Sequence, residues 1–322
     1  MQSLLESIIK PEFLFSVLRI TSPILFAALA AVVAEKAGKT NIGLEGTMMV
    51  TALLGSLIGV WTQNAFLGLL GAILIGALLG LTIGFFALKL RTDIILAGIA
   101  INTIGAGGTI FMLYMLTGLR GNSGGLANKL LPTIEIPLIK DIPYIGEVLS
   151  GHCVLTYFAF LCVLLVYILL YKTPLGLKIR AVGENANAAD SVGVSVRKIS
   201  YIALGISGAL AGMGGAYMSM YYLSGWYSGF VAGRGFIALA ARAMGNGEPV
   251  GAMLASLLFG VADAVGIKMS GLKGFSSNLV AAIPYIATVV GLAIYAAATL
   301  KKVKKANVDK TAKSENIEEG AQ

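Results

Sequence analysis

"TSPILFAALAAVVAEKAGKTNIGLEG", residues 21–46, supports two incompatible readings. Its Gly38, Lys39, Thr40 triplet is the ending of a phosphate-binding loop, which would make the chain a nucleotide binder. Such a loop needs a glycine five positions before its second glycine, a strand leading in and a helix leading out, so that backbone N–H groups curl around the phosphates. Position 33 is valine, the lead-in is an apolar run of helical length, and "NIGLEG" follows where a helix should begin at once. The nucleotide reading fails. The stretch is a long apolar segment followed by a glycine-broken one that begins the next.

Composition carries the same reading over the whole chain. Of 322 residues, 57% are hydrophobic and 12% charged, and mean hydropathy is +0.84; soluble domains carry about 25% charged residues. This is the balance of an all-α polytopic membrane protein. The 41 glycines fit close helix packing, because lipid supplies no hydrophobic drive between helices and small residues let backbones approach. The formal charge of +8 does not point to nucleic acid, since Lys and Arg fall in loops and in the tail rather than on an aromatic-studded face.

Windows of about 20 apolar residues predict spans near 14–34, 44–61, 65–88, 93–117, 152–171, 199–222, 229–246, 250–267 and 278–299. Nine are visible; ten crossings with both termini cytoplasmic are the preferred count. The division expected is an N-terminal segment over 1–20, a transmembrane domain over 21–300 and a polar cytoplasmic tail over 301–322. Two long polar connections interrupt the spans, 118–150 and 172–198. The second holds Lys172, Lys178, Arg180, Arg197 and Lys198 against Glu184 and Asp190. The positive-inside rule makes it and the "KKVKK" tail cytoplasmic, with Lys89 and Arg91 on the same side and 118–150 external. "NIGLEG" and "AGRG" begin spans in the two halves, as corresponding elements of a two-fold internal repeat with broken helices would.

Cys153 and Cys162 lie nine residues apart in one run, too far along a helix to bridge each other. His152, the single histidine, reads as a loop or cap residue because nothing completes a metal set around it. No catalytic group, cofactor or metal is expected.

Within 172–200, Pro174 stops the preceding span and "LGLKIRAV" reads as a short amphipathic helix with Gly183 as its left-handed terminator. Asn185 can cap "ANAADSV", Gly193 ends it, and Ser195 starts the next span. This helix, turn, helix is shaped to enter a groove on a partner; an ordinary basic surface loop is the alternative.

"GLKIRAVGENANAADSVGVSV" (176–196) followed by "SGALAGMGGAYM" (207–218) resembles the permease subunits of bacterial ABC importers, in the branch serving simple sugars, nucleosides and branched-chain amino acids. "NIGLEG" (41–46), "AGRGFIALAA" (232–241), "LFGVADA" (258–264) and "PYIAT" (284–288) extend the resemblance from about Thr21 to Leu300. It implies a chain of the bacterial cytoplasmic membrane that works with an ABC ATPase subunit, a second permease subunit of the same or a related sequence, and an external substrate-binding lipoprotein. It also implies docking to the ATPase through Gly183, Glu184, Asn185, Ala188, Ala189, Asp190 and Gly193. ATP would bind the separate subunit. The "AGRGFIALA" and "PYIAT" matches look most like nucleoside and simple-sugar permeases; a branched-chain amino acid permease and an ATP-independent secondary transporter are the alternatives. Lys39 and Thr40 depart from the apolar pair expected before Asn41.

Ionisable groups at a helix centre cost about 2.5 to 3.5 kcal/mol on insertion scales, so each needs a partner or a purpose. Glu45 and Asp263 are candidates to line the translocation path, with Asn41, Asn102, Ser207 and Phe111 as uncharged companions. The alternative is that Glu45 and Asp263 cap broken helices or pair with Arg234 and Arg242. The stripes Gly76, Gly80, Gly84 and Gly208, Gly212, Ala216 are expected to pack helices.

Overall fold

A computed structural model describes residues 10–137, 142, 144–270 and, further on, 286, 289, 291 and 293. In chain order the long helices are α1 (Pro11–Lys36), α2 (Leu44–Thr62), α3 (Ala65–Lys89) and α4 (Ile94–Thr117). A short α5 (Ile145–Leu149) precedes α6 (Val154–Lys172). Two short helices, α7 (Pro174–Glu184) and α8 (Ala186–Ser191), lead to α9 (Val196–Tyr222), α10 (Arg234–Met244) and α11 (Pro249–Ser270). Seven of the described helices are long and apolar enough to cross a membrane. The only described sheet is a two-residue pairing of β1 (Thr133–Ile134) with β2 (His152–Cys153).

Burial decides the arrangement. The apolar window of α1 is 89% buried, whereas those of α3 and α4 are 28% buried. α1 is therefore the central helix, apolar all round because protein surrounds it, and it packs against α6, α9, α10 and α11. Pro11 starts it at the first helical position, where the missing N–H costs nothing. On α3, Leu70, Leu74, Leu78 and Leu81 stay exposed on one face, the face that lipid would cover.

The glycine stripes meet each other. A Cβ on Gly76 would strike the Gly208 carbonyl, one on Gly80 the Leu204 carbonyl, and one on Gly212 would lie 2.5 Å from the Ala72 carbonyl oxygen. α3 and α9 thus touch backbone to backbone, running antiparallel, which only the absence of side chains allows.

This pairing puts Lys89 and Arg91 at the end of the bundle where α9 begins. Lys172, Lys178, Arg180, Arg197 and Lys198 lie at that end too, because the 172–195 segment joins α6 to α9 there. The opposite end is closed by the 118–137 segment, whose Ser123 accepts from the Trp226 N–H at 2.8 Å and donates from its own N–H to the Trp226 carbonyl.

One expected element changes form. Residues 229–246 are not one continuous helix: 223–233 is non-helical after the final π-helical turn of α9, and the eleven-residue α10 completes the passage to the basic end, where Arg242 meets Glu35. Helix α1 begins inside the expected N-terminal segment of 1–20. Its start lies at the end of the bundle opposite the basic loop, with Phe15 stacked on His152 while Lys36 reaches Glu248 beside α7. Residue 10 and the basic loop therefore lie at opposite ends of the bundle. The span expected at 278–299 and the tail of 301–322 lie outside the described residues, apart from the four isolated positions named above.

The backbone seam yields a direct test. Gly208→Leu should force α3 and α9 apart at an overpacking cost of about 1–3 kcal/mol or more, lowering the unfolding temperature of the detergent-purified protein by several degrees. Leu78→Ala, on the exposed face of α3, should leave that temperature within about one degree.

Candidate functional site

The centre of the molecule is built around a break between α1 and α2. Gly38 has φ +67 and closes α1 in a left-handed terminator: the Lys39 N–H donates to the Ala34 carbonyl at 3.0 Å and the Gly38 N–H to Glu35 at 2.8 Å. The triplet that imitates a phosphate loop is thus a helix C-terminus. Residues 39–43 then run non-helically from the basic end into the bundle, and α2 starts at Leu44. Ser207, which meets this segment, lies eleven residues beyond Val196, about 17 Å along α9. That is near the middle of a hydrocarbon core of about 30 Å.

Backbone at that depth needs protein partners, and amide side chains supply them. Asn41 accepts from the Gly43 N–H at 3.0 Å and donates to Ser207 Oγ at 3.0 Å. Asn102 accepts from the Gly46 N–H at 2.7 Å and donates to the Ile42 carbonyl at 3.0 Å. Gly98 and Gly105, on the same helix as Asn102, let α4 approach this closely: a Cβ on Gly98 would lie 2.8 Å from the Gly43 nitrogen, and one on Gly105 2.5 Å from Gly46 Cα.

A second non-helical stretch, 223–233, enters from the opposite end and stops at the start of α10. The N-terminus of α10 meets Glu45 in the first turn of α2. Glu45 Oε1 accepts from the Gly233 N–H at 2.8 Å and Oε2 from the Gly235 N–H at 2.7 Å. Each helix N-terminus carries the equivalent of about half a positive charge. Two N-termini sharing one carboxylate therefore compensate roughly its whole charge, which makes Glu45 tolerable at 4% exposure. Arg234, buried beside it, pairs with Asp263 of α11 at 2.9 Å, and its guanidinium lies 5.4 Å from the Tyr222 ring centre.

The structure thus gathers Asn41, Glu45, Asn102 and Ser207 into one junction and attaches Asp263 to it through Arg234. Phe111 does not join: it is 63% exposed on the outer face of α4. Glu45 caps a broken helix and Asp263 pairs with Arg234, the two roles weighed as alternatives to path lining. Arg242 pairs instead with Glu35 at 3.1 Å.

At the basic end, α7 and α8 form the two-helix element. Thr173 and Asn185 cap them, accepting from the Gly176 and Ala188 N–H groups at 3.1 and 3.0 Å. Gly193, at φ +84, ends α8 as expected. Gly183 does not act as a left-handed terminator, because α7 continues through it to Glu184. It is small for another reason: a Cβ there would strike the Lys36 carbonyl, so α7 lies directly on the end of α1. Glu184, Asn185, Ala188 and Asp190 are exposed, whereas Ala189 is buried.

A polar cluster links this element to the α10–α11 turn. Lys36 Nζ pairs with Glu248 at 2.7 Å, the Tyr171 hydroxyl also donates to Glu248, and Arg180 lies 4.9 Å from the Tyr171 ring centre. Burial alone would raise the Glu248 carboxyl, but the hydrogen bonds from Lys36 and Tyr171 and the Lys36 charge together hold it below the ordinary value. Sequence reasoning missed this contact: Lys36 and Glu248 are 212 residues apart and no local pattern pairs them. Among the described residues no cluster of three or more His, Cys, Asp or Glu could hold a metal.

The family described as "branched-chain amino acid transport system / permease component" matches residues 13–298. The chain belongs to this permease family. The permease is 34% identical over 283 residues to the guanosine ABC transporter permease protein NupQ of Bacillus subtilis, covering 84% of this chain and 88% of that one. It is 32% identical over 286 residues to the nucleoside ABC transporter permease protein NupC of Lactococcus lactis subsp. cremoris, covering 85% and 89%. No solved structure matches the permease. It is a multi-pass membrane protein, and the match covers both broken segments and the two-helix element.

Two measurements test the geometry. Glu45→Ala leaves the Gly233 and Gly235 N–H groups unpaired in a buried site, at about 1–3 kcal/mol each. Glu45→Gln restores one acceptor and should unfold at a temperature between those of the Ala variant and wild type; equal temperatures for the two variants would refute the shared-cap assignment. For Glu248, whose folded value is depressed, the stabilisation is present above the unfolded value of roughly 4.3 and is lost as pH falls through the lower folded value. Wild type should therefore be more stable than Glu248→Gln from pH 7 to about 5, and the two should converge below pH 4, read by thermal unfolding.

Proposed function

We propose that the permease is the membrane-spanning subunit of an ATP-driven importer that carries nucleosides across the bacterial cytoplasmic membrane. The observation that carries the substrate class is the likeness to the guanosine and nucleoside permeases over more than four-fifths of the chain. The family description points to branched-chain amino acids instead. The junction favours the nucleoside: both Glu45 oxygens are engaged by backbone and Asp263 is engaged by Arg234. A zwitterion would need fresh compensation for two charges, whereas a neutral nucleoside needs hydroxyl and amide partners. Beyond the bonds that hold the break, Asn41 and Asn102 each keep a second amide N–H and Ser207 its hydroxyl hydrogen for such a solute, with Glu45 and Asp263 as the frame at mid-depth.

In this reading ATP is hydrolysed by a separate ATPase subunit that docks on α7 and α8 through Glu184, Asn185, Ala188 and Asp190. Gly193 shapes the rear of the surface. Gly183 acts from beneath it by seating α7 on α1, and Ala189 is buried under α8. The basic end is cytoplasmic, which the clustering of Lys89, Arg91, Lys172, Lys178, Arg197 and Lys198 supports. The start of α1 is then external, and an external binding lipoprotein delivers solute at that end. A second permease chain, identical or related, completes the pathway. An autonomous carrier would not need the paired basic helices.

Gly183→Val would drive α7 off the Lys36 carbonyl, and Glu184→Arg would reverse charge on the exposed surface. Both should abolish uptake in cells expressing the complete transporter while leaving the membrane level of the permease near wild type; normal uptake by either would sink the docking assignment. Guanosine, adenosine or uridine should compete for labelled-nucleoside uptake. Competition by leucine or isoleucine with none by nucleosides would overturn the substrate class and leave docking untouched.

A further inference from the structure

A groove runs along the outer face of α3 and α9 from the basic end toward mid-depth. Its floor and walls are apolar, formed by Ala77 and Leu81 of α3 and by Tyr201, Ile202, Gly205 and Ala209 of α9. Arg197 and Lys198 stand at its mouth. The spacing explains the shape: Arg197, Tyr201, Gly205 and Ala209 recur at four-residue intervals and share one face of α9, where the small Gly205 and Ala209 leave the channel open. From Arg197 to Ala209 is about 18 Å, close to one leaflet of a core about 30 Å thick. The volume, about 650 Å3, suits a small amphipathic ligand, since such sites run from about 300 to 1,000 Å3.

The mouth is cationic and uncompensated. Lys178 and Lys198 border an adjoining recess with Gly193, Val194 and Ser195, and Arg197 borders a further one with Asp190. Neither Arg197, Lys198 nor Lys178 has an ion-pair partner among the described residues, and Asp190 lies beyond salt-bridge distance of all three. The Tyr201 hydroxyl also has no hydrogen bond among the described residues. A positive mouth above an apolar slot one leaflet long is complementary to a negatively charged headgroup with an acyl chain. A second copy of the permease fits less well, because a two-fold contact centred on this mouth would bring Arg197 and Lys198 of the two copies together as like charges.

We infer that this groove is a binding site for an anionic phospholipid, with the phosphate held by Arg197 and Lys198 and one acyl chain lying against Leu81, Gly205 and Ala209. The lipid would brace the α3–α9 seam at the point where α8 joins α9. The inference stands on the groove itself and is independent of the transported solute.

Native mass spectrometry of the full-length detergent-purified permease, titrated with phosphatidylglycerol and with phosphatidylcholine of identical chains, tests it. Phosphatidylglycerol should bind at least tenfold more tightly. The Arg197→Gln/Lys198→Gln double variant should lose about fivefold per charge removed while unfolding at the wild-type temperature without lipid. Ala209→Trp should fill the slot and weaken both lipids. Glycerol 3-phosphate, a headgroup without chains, should not displace phosphatidylglycerol at equal concentration. Equal binding of the two lipids, undiminished binding by the double variant, undiminished binding by the Trp variant, or displacement by glycerol 3-phosphate would each overturn the assignment. So would efficient disulfide-linked dimers of Ile202→Cys in native membranes, which would make the groove a contact between copies.

Discussion

Peptide groups at membrane depth have no water to bond, and two stretches of this chain, 37–43 and 223–233, place non-helical backbone there. Much else follows from how that requirement is met. Glu45 accepts from the start of α10 while sitting in the first turn of α2, so two helix N-termini that would each be costly alone share one anion. Asn41 and Asn102 bond the Gly43 and Gly46 N–H groups and the Ile42 carbonyl from within the break and from α4. The break and its partners form one unit: removing any member takes a bonding partner from buried backbone donors or acceptors.

The same unit connects the ends of the molecule. Segment 37–43 runs out to Gly38 and Lys36, where α7 rests on the end of α1 and Glu248 ties the α10–α11 turn to Lys36 and Tyr171. Segment 223–233 runs the other way, to Trp226 beneath Ser123. A displacement of α7 is therefore transmitted to the end of α1 by backbone contact rather than through flexible side chains, and the mid-depth junction begins a few residues beyond.

Helix packing around the junction follows the rule for proteins surrounded by lipid, with glycine where backbones touch and leucine where they face outward. α3 displays both within twenty-five residues: Gly76 and Gly80 against α9, Leu70, Leu74 and Leu78 outside.

The sequence by itself determined the class, most of the spans, the small-residue stripes, the caps at Asn185 and Gly193, and the family, because each is carried by local spacing or by several motifs in order. It also singled out Glu45 and Asp263, since a charge amid apolar residues is conspicuous without a structure. It took 229–246 as one continuous helix because an apolar window does not register that the first residues are non-helical, and it misread Gly183 because a glycine near a helix end looks the same whether it supplies a left-handed turn or a close approach. Only the tertiary structure decided that Glu45 caps α10, that Asp263 takes Arg234 while Arg242 takes Glu35, that Phe111 lies outside the junction, and that Lys36 meets Glu248. Those contacts join residues far apart along the chain, and no period or propensity encodes them; they exist because packing around α1 brings distant segments together.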